Sequence, residues 1–124
     1  DAANSLNQEV GSIVKSLLFR SSENEFYLCL VSGDKYLSTE KVAAITGNKI
    51  IKSSADEVKK QTGFSIGGVS PFAHLIPPNR IFIDKNLNRF DMVYAAAGHP
   101  YVVFGITYLD LLNTTLAEEK VITE

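Results

Sequence analysis

One stretch, Thr62 to Ile83 (TGFSIGGVSPFAHLIPPNRIFI), constrains this chain more than any other. It carries three of the eight glycines, three of the four prolines and one of the two histidines. Gly67-Gly68 interrupts an apolar run between Ile66 and Val69. Glycine there weakens a strand and lets another backbone or a ligand come close. Pro71 stiffens the exit. A flexible pair backed by a rigid turn suits a loop whose amides face a bound molecule. A bulge that turns a strand round a barrel corner fits the same residues. The residues alone leave both readings open.

At 124 residues the chain is expected to form one domain. Its 45% hydrophobic content is enough for a real core. A net charge of −2 excludes a global basic surface, so any nucleic-acid footprint is small and local. Cys29 is the single cysteine, which rules out an internal disulfide and fits a reducing, cytoplasmic compartment. No apolar run approaches a membrane span, and no signal peptide is visible. The opening DAANSLNQEV reads like the middle of an element, so a natural N-terminal strand or helix is expected to be missing or incomplete.

Short strands and short helices alternate along the chain, which predicts a mixed α/β (α+β) domain. Ala2 to Glu9 reads as a helix that stops at Gly11. Ser12 to Arg20 reads as a strand that is apolar on both faces and so central. Phe26 to Val31 makes a hairpin with it. Ser38 caps a helix to Thr46, with Gly47 as its stop. Ile50 and Ile51 lie near a short strand. Ser54-Ala55-Asp56-Glu57 is a capping box that opens a helix ending before Gly63. Further strands are expected at Arg80–Asp84, Met92–Ala97 and Tyr101–Ile106, with a break at Gly98-His99-Pro100. Thr107 caps a last helix through Leu112, and Leu116 to Ile122 closes the domain.

Lys15 is the sharpest single oddity. It lies in mid-strand with Ile13 and Leu17 on its own face, so its ammonium must snorkel outward or meet an anion such as a ligand phosphate. An edge-strand lysine that discourages aggregation is the alternative. Ser70, His74 and Asp84 invite a triad reading, but GGVSP is not the G-x-S-x-G turn of a nucleophile elbow. Two histidines and one cysteine, far apart, match no metal spacing. The glycines fit neither a GxxxxGK[ST] loop nor a GxGxxG fingerprint. Neither a metal nor a cofactor is expected. Lys49, Lys52, Lys59 and Lys60 read as a solvated basic face, with backbone docking as the alternative. Cys29 reads as a core residue, and His99 as a loop-tip side chain.

Several pieces then occur in one order: Val14-Lys15-Ser16-Leu17, Ser54-x-x-Glu57-Val58 leading to Thr62-Gly63-Phe64, and Ile66-Gly67-Gly68-Val69-Ser70-Pro71-Phe72. Ile83-Asp84, Ala95-Ala96-Ala97-Gly98 and Leu109-x-x-Leu112 follow. In this the chain resembles the YbaK-like family, which shares its domain with the editing insertion of bacterial prolyl-tRNA synthetases. The resemblance runs from Val10 onward. Ala73 stands where many relatives have glycine.

The resemblance implies a compact mixed fold around a twisted, partly closed sheet. It implies hydrolysis of a small amino acid wrongly attached to tRNA. The family's lysine falls on Lys15 and its glycine loop on Gly67, Gly68, Val69, Ser70 and Pro71. Lys15 and Gly68 are the expected catalytic positions. Gly67, Val69, Ser70, Pro71, His74, Asp84 and Gly98 are the expected substrate-binding ones. The implied partner is the 3′ end of a mischarged tRNA, with a synthetase as a second partner and neither DNA nor membrane. An activated ester needs only placed water and a stabilised oxyanion, which suits a chain without a convincing nucleophile. The alternative is a module of the same fold that binds a tRNA end or a synthetase without catalysis.

Overall fold

The computed structural model describes residues 9–124. The expected N-terminal helix falls on Ala2 to Gln8, outside the described residues. At its expected end, Glu9 is extended and Val10–Ser12 forms a single 3₁₀ turn. Gly11 is therefore no helix stop. A Cβ there would meet the Phe90 ring at 2.7 Å and the Asp34 carboxylate at 2.9 Å, so both side-chain ends would have to shift to admit one.

Among the described residues seven strands form a five-stranded sheet and a separate hairpin. The strands are β1 (Val14–Ser21), β2 (Phe26–Ser32), β3 (Ile50–Lys52), β4 (Arg80–Asp84), β5 (Met92–His99), β6 (Val102–Thr107) and β7 (Glu118–Lys120). The sheet order is β3-β1-β2-β4-β7, and β5-β6 stand apart. Antiparallel pairs join β1 to β2 and β1 to β3, while β4 lies parallel to both β2 and β7. Among the described residues no helix is long and apolar enough to cross a membrane.

Among the described residues three α-helices form where their caps dictate. In α1 (Thr39–Thr46) the Ser38 side chain accepts from Lys41 N–H and Gly47 closes the helix at φ 74°. The complete capping box opens α2 (Ala55–Thr62): Ser54 accepts from Glu57 N–H, Glu57 accepts from Ser54 N–H, and Gly63 stops the helix at φ 84°. The Thr107 side chain caps α3 (Tyr108–Thr115) by accepting from Asp110 N–H. Each such cap is worth about 1 kcal/mol.

Alternation along β1 divides the core in two. Val14 and Leu18 pack with Leu28, Leu30, Val58 and Val69. Leu17 and Phe19 pack on the other face with Tyr27, Cys29, Val31 and Val42. Cys29 is fully buried, as a core residue should be, and desolvation pushes its thiol up to about 12. β1 is thus central, as its two apolar faces require. Its second edge is nevertheless only partly covered. β3 pairs with Phe19–Ser21, and β5 touches it through one parallel bridge, Ile13 to Tyr94. Among the described residues the strand between those two contacts has no hydrogen-bonded neighbour on that side.

Residues 63–79, between α2 and β4, contain neither helix nor strand. The Gly67-Gly68 pair therefore belongs to a loop and is not a bulge inside a sheet.

Candidate active site

The open edge of β1 borders a cavity of about 230 Å³. β1 and the residue before it supply Ile13 through Leu18, the β3–α2 junction supplies Lys52 and Ser53, and α2 supplies Val58. The glycine loop supplies Ile66, Gly67 and Val69, and the β5-β6 hairpin closes the rim with Ala96, Pro100 and Val103. The cavity fills the gap that β3 and β5 leave along β1. Main-chain groups of a strand point alternately to its two edges. Ile13 C=O accepts from Gly33 N–H on the β2 side, and Leu18 C=O accepts from Ser53 N–H on the β3 side. Ser16 follows Leu18 in this alternation, so its N–H and C=O face the gap.

The loop is held by local bonds and by one apolar anchor. Gly68 N–H donates to Ser65 C=O at 2.9 Å. Leu75 N–H reaches back to Thr62 C=O and Ile76 N–H to Gln61 C=O, at 3.1 and 2.8 Å. Val69 is buried in the core, a contribution of roughly 1.5–3 kcal/mol. Gly67 sits at φ 88° with open space where a side chain would begin, so it is the backbone conformation that needs glycine. Gly68 is different. A Cβ there would press on the Pro100 ring at 3.0 Å and the His99 backbone at 3.1 Å. A side chain at Gly68 would thus strike the β5-β6 turn; it would not fill the cavity.

Lys15 lines the cavity along β1, yet alternation puts its side chain on the Leu17 and Phe19 face. Its Nζ donates to Lys35 C=O at 2.5 Å and lies 5.3 Å from the centre of the Tyr36 ring. Burial holds the ammonium below the usual lysine range; Asp34 opposes that shift and Lys52 adds to it. The turn that offers Lys35 is fixed by a two-point pair in which Arg89 donates to both Asp34 oxygens, at 2.8 and 3.2 Å.

The remaining expected positions do not converge on this cavity. Ser70 Oγ accepts from Phe72 N–H, and Ser70 C=O meets His74 Nε2 at 2.6 Å. Burial holds the His74 imidazole below its usual range, and the Ser70 contact opposes it. Pro71 and His74 line a second, shallower hollow with Phe72, Pro77 and Thr114. Gly98 lies at φ 93° with the Phe64 ring 3.1 Å from where its Cβ would be. Asp84 is buried at the far end of β4. Its oxygens accept from Ile122 N–H, Thr123 Oγ1 and Asn86 N–H at 2.9, 3.0 and 3.3 Å. The triad spacing fails in space as it does in sequence: Ser70 and His74 meet through a carbonyl, and Asp84 bonds elsewhere.

Two cavity residues, Ser16 and Ser53, had no functional reading in the sequence. Lys52 stood only as part of a basic cluster. Ser16 and Ser53 are inconspicuous serines, yet both hydroxyl oxygens are buried without a hydrogen-bond partner among the described residues. Polarity at Ser16, between apolar Val14 and Leu18 on one strand face, was the available signal. Among the described residues no cluster of His, Cys, Asp and Glu could hold a metal.

Residues 1–114 match the model of the aminoacyl-tRNA editing domain. The chain is 35% identical over 97 residues to the uncharacterized protein YwhH of Bacillus subtilis (strain 168), covering 78% of this chain and 61% of YwhH. It is 36% identical over 67 residues to a proline–tRNA ligase of Thermosipho africanus (strain TCF52B), covering 53% of this chain and 12% of the ligase. The chain thus spans less than two thirds of either relative. A crystal structure described as a candidate trans-editing enzyme for prolyl tRNA synthetase superposes with a TM-score of 0.95 at 37% identity, over 99% of this chain and 77% of that one. The crystal structure of the hypothetical protein APE2540 superposes with a TM-score of 0.90 at 28% identity, over 99% and 81%.

Proposed function

The chain belongs to the aminoacyl-tRNA editing domain family, and from that premise we propose that it hydrolyses the ester linking a small amino acid to the 3′ end of a mischarged tRNA. The observation that carries the reading is one small cavity lined by both Lys15 and Gly67, residues far apart in sequence. At about 230 Å³ it is below the usual range for sites that enclose drug-sized ligands, which suits an acyl group and leaves the nucleotide outside.

The chemistry asks little of side chains. A water attacks the ester carbonyl, the C–O bond to the ribose breaks, and the ribose oxygen leaves with a proton. The main-chain N–H of Gly67, which lines the cavity, supplies a donor for the oxyanion, a role worth about 10²–10³ in rate for a single donor, whereas Gly68 N–H is engaged by Ser65 C=O and Gly68 does not line the cavity. An ammonium has three donors, and Lys35 C=O takes one from Lys15. The others, with neighbouring Lys52, hold the phosphate or ribose end of the terminal adenosine. A free ribose hydroxyl orients the water.

The test is a deacylation screen over mischarged tRNAs, wild type beside Lys15→Ala. The expected result is a fall in rate of about 10²-fold or more, with an unchanged circular dichroism spectrum. Full activity of the mutant on every tRNA tried would sink the role given to Lys15. A second reading has its own observation: the Lys15 ammonium already bonds Lys35 C=O on the strand face away from Val14 and Leu18. That suits a non-catalytic module recognising a tRNA end or a synthetase. Tight binding of aminoacyl-tRNA with no turnover would favour it.

A further inference from the structure

We propose that His74 is a positioning residue for the glycine loop: its neutral ring, donating from Nε2 to Ser70 C=O, holds the loop in the shape that lines the cavity, and protonation of the ring releases it. The chemistry that the loop serves rests on the editing reading above; the clamp itself does not.

Val69 lines the cavity, and Ser70 follows it in the chain. Ser70 C=O meets His74 Nε2 at 2.6 Å. A carbonyl only accepts, so Nε2 carries the hydrogen and the neutral ring leaves Nδ1 bare. Between the two residues Ala73 adopts φ 61°, a strained turn that brings residue 74 back to residue 70. The residues just after His74 are tied to α2, Leu75 N–H to Thr62 C=O and Ile76 N–H to Gln61 C=O. His74 thus joins the end of the glycine loop, which no helix or strand supports, to a segment anchored on α2. The link extends to the hairpin. The His74 and Phe64 rings meet edge-on with centres 6.0 Å apart, and Phe64 fills the space beside Gly98 of β5. His74 does not line the cavity. It acts through segments that do.

The surroundings accept the neutral ring and not the charged one. Nδ1 is buried with no hydrogen-bond partner among the described residues. A proton there would add a buried charge and an N–H without an acceptor, which costs far more than an unpaired lone pair. No carboxylate among the described residues shares the hollow with the ring. Thr114 and Thr115 of α3 and Ile81 of β4 line it without charge. Arg80 of β4 is paired with Glu118, and Lys59 of α2 turns its Nζ to Gly63 C=O at 3.1 Å. Burial accordingly favours the neutral form, against the Ser70 bond. The ring is only half-buried, so once charged it has a way out to water. A pKa lowered by folding gives a clamp that is complete above about pH 6.5 and is lost as pH falls through the lowered value.

The experiment uses the full chain as wild type, His74→Gln and His74→Leu. Glutamine keeps a donor but does not titrate; leucine keeps bulk and removes the donor. At neutral pH His74→Leu should lower kcat for deacylation of mischarged tRNA about tenfold with KM nearly unchanged, and His74→Gln should restore most of the rate. Below about pH 6 the wild type should lose rate more steeply than His74→Gln. In an NMR titration the Gly67 and Gly68 amide signals should move with the His74 ring in the wild type and stay still over that range in His74→Gln. His99, whose Nδ1 accepts from Tyr101 N–H, is the other histidine and serves as the internal control. Wild-type kcat in His74→Leu, a loss confined to KM, parallel acid limbs, or glycine amides blind to His74 would each overturn the clamp. If His74→Leu does not fold, the wild type against His74→Gln decides. Amide shifts as expected without deacylation by any of the proteins would remove the hydrolase reading and leave the clamp standing. Deacylation indifferent to His74 would do the reverse.

Discussion

Asp84 and Ser53 are both nearly fully buried, at 0% and 3% exposure, yet their oxygens end differently. Asp84 accepts three hydrogen bonds that tie the end of β4 to Asn86, Ile122 and Thr123. Thr123 Oγ1 also accepts from Asn86 Nδ2 at 3.1 Å, so the cluster is knit together. Ser53 Oγ, like Ser16 Oγ, is buried with no hydrogen-bond partner among the described residues. A saturated polar cluster is a structural device, because each group removed leaves another stranded. An unsaturated one costs stability.

The largest expected effect falls on the saturated side. Asp84→Ala strands Ile122 N–H and Thr123 Oγ1 and should cost about 3 kcal/mol, lowering the melting temperature by about 10 °C. Deacylation per folded molecule should stay near wild type. A melting temperature unchanged within error, or loss of activity in a fully folded protein, would break the contrast and return Asp84 to the site.

Ser53→Ala should behave in the opposite sense. Removing a hydroxyl without a partner should be neutral or stabilise by about 1 kcal/mol in urea unfolding. A loss of more than about 1 kcal/mol would show that Ser53 is satisfied after all.

The smallest effect is expected in the loop beside the cavity. Ala73 adopts φ 61°, a conformation that costs an L-residue roughly 1–2 kcal/mol. Ala73→Gly relieves that strain but frees the unfolded chain, so a net gain of about 0.5 kcal/mol is expected. Destabilisation would mean that the Ala73 methyl group packs usefully against the second hollow, where it lies beside His74.

Much of the fold was legible because its signals are short-range. A capping box closes within three residues, as at Ser54 and Glu57. Gly47 and Gly63 stop helices by their own backbone conformation. The alternation of β1 sorts Val14 and Leu18 from Leu17 and Phe19 without reference to the rest of the chain. Gly11 misled for the same reason: glycine after a polar run looks like a helix stop, whereas its neighbours Phe90 and Asp34 are distant in sequence.

The candidate site was legible only in its ingredients. The sequence by itself determined a mixed fold with a lysine in an apolar strand and a glycine loop after a capped helix, since local hydrogen bonding and side-chain alternation settle such features. Tertiary structure alone decided where they meet. It set how far β3 runs along β1, and so left a gap; it turned the Lys15 ammonium to Lys35; it drew Asp84 away to the C-terminal strand; and it brought β1 and the glycine loop to one cavity. Those outcomes depend on contacts between segments remote in the chain, and no window of neighbouring residues carries that information.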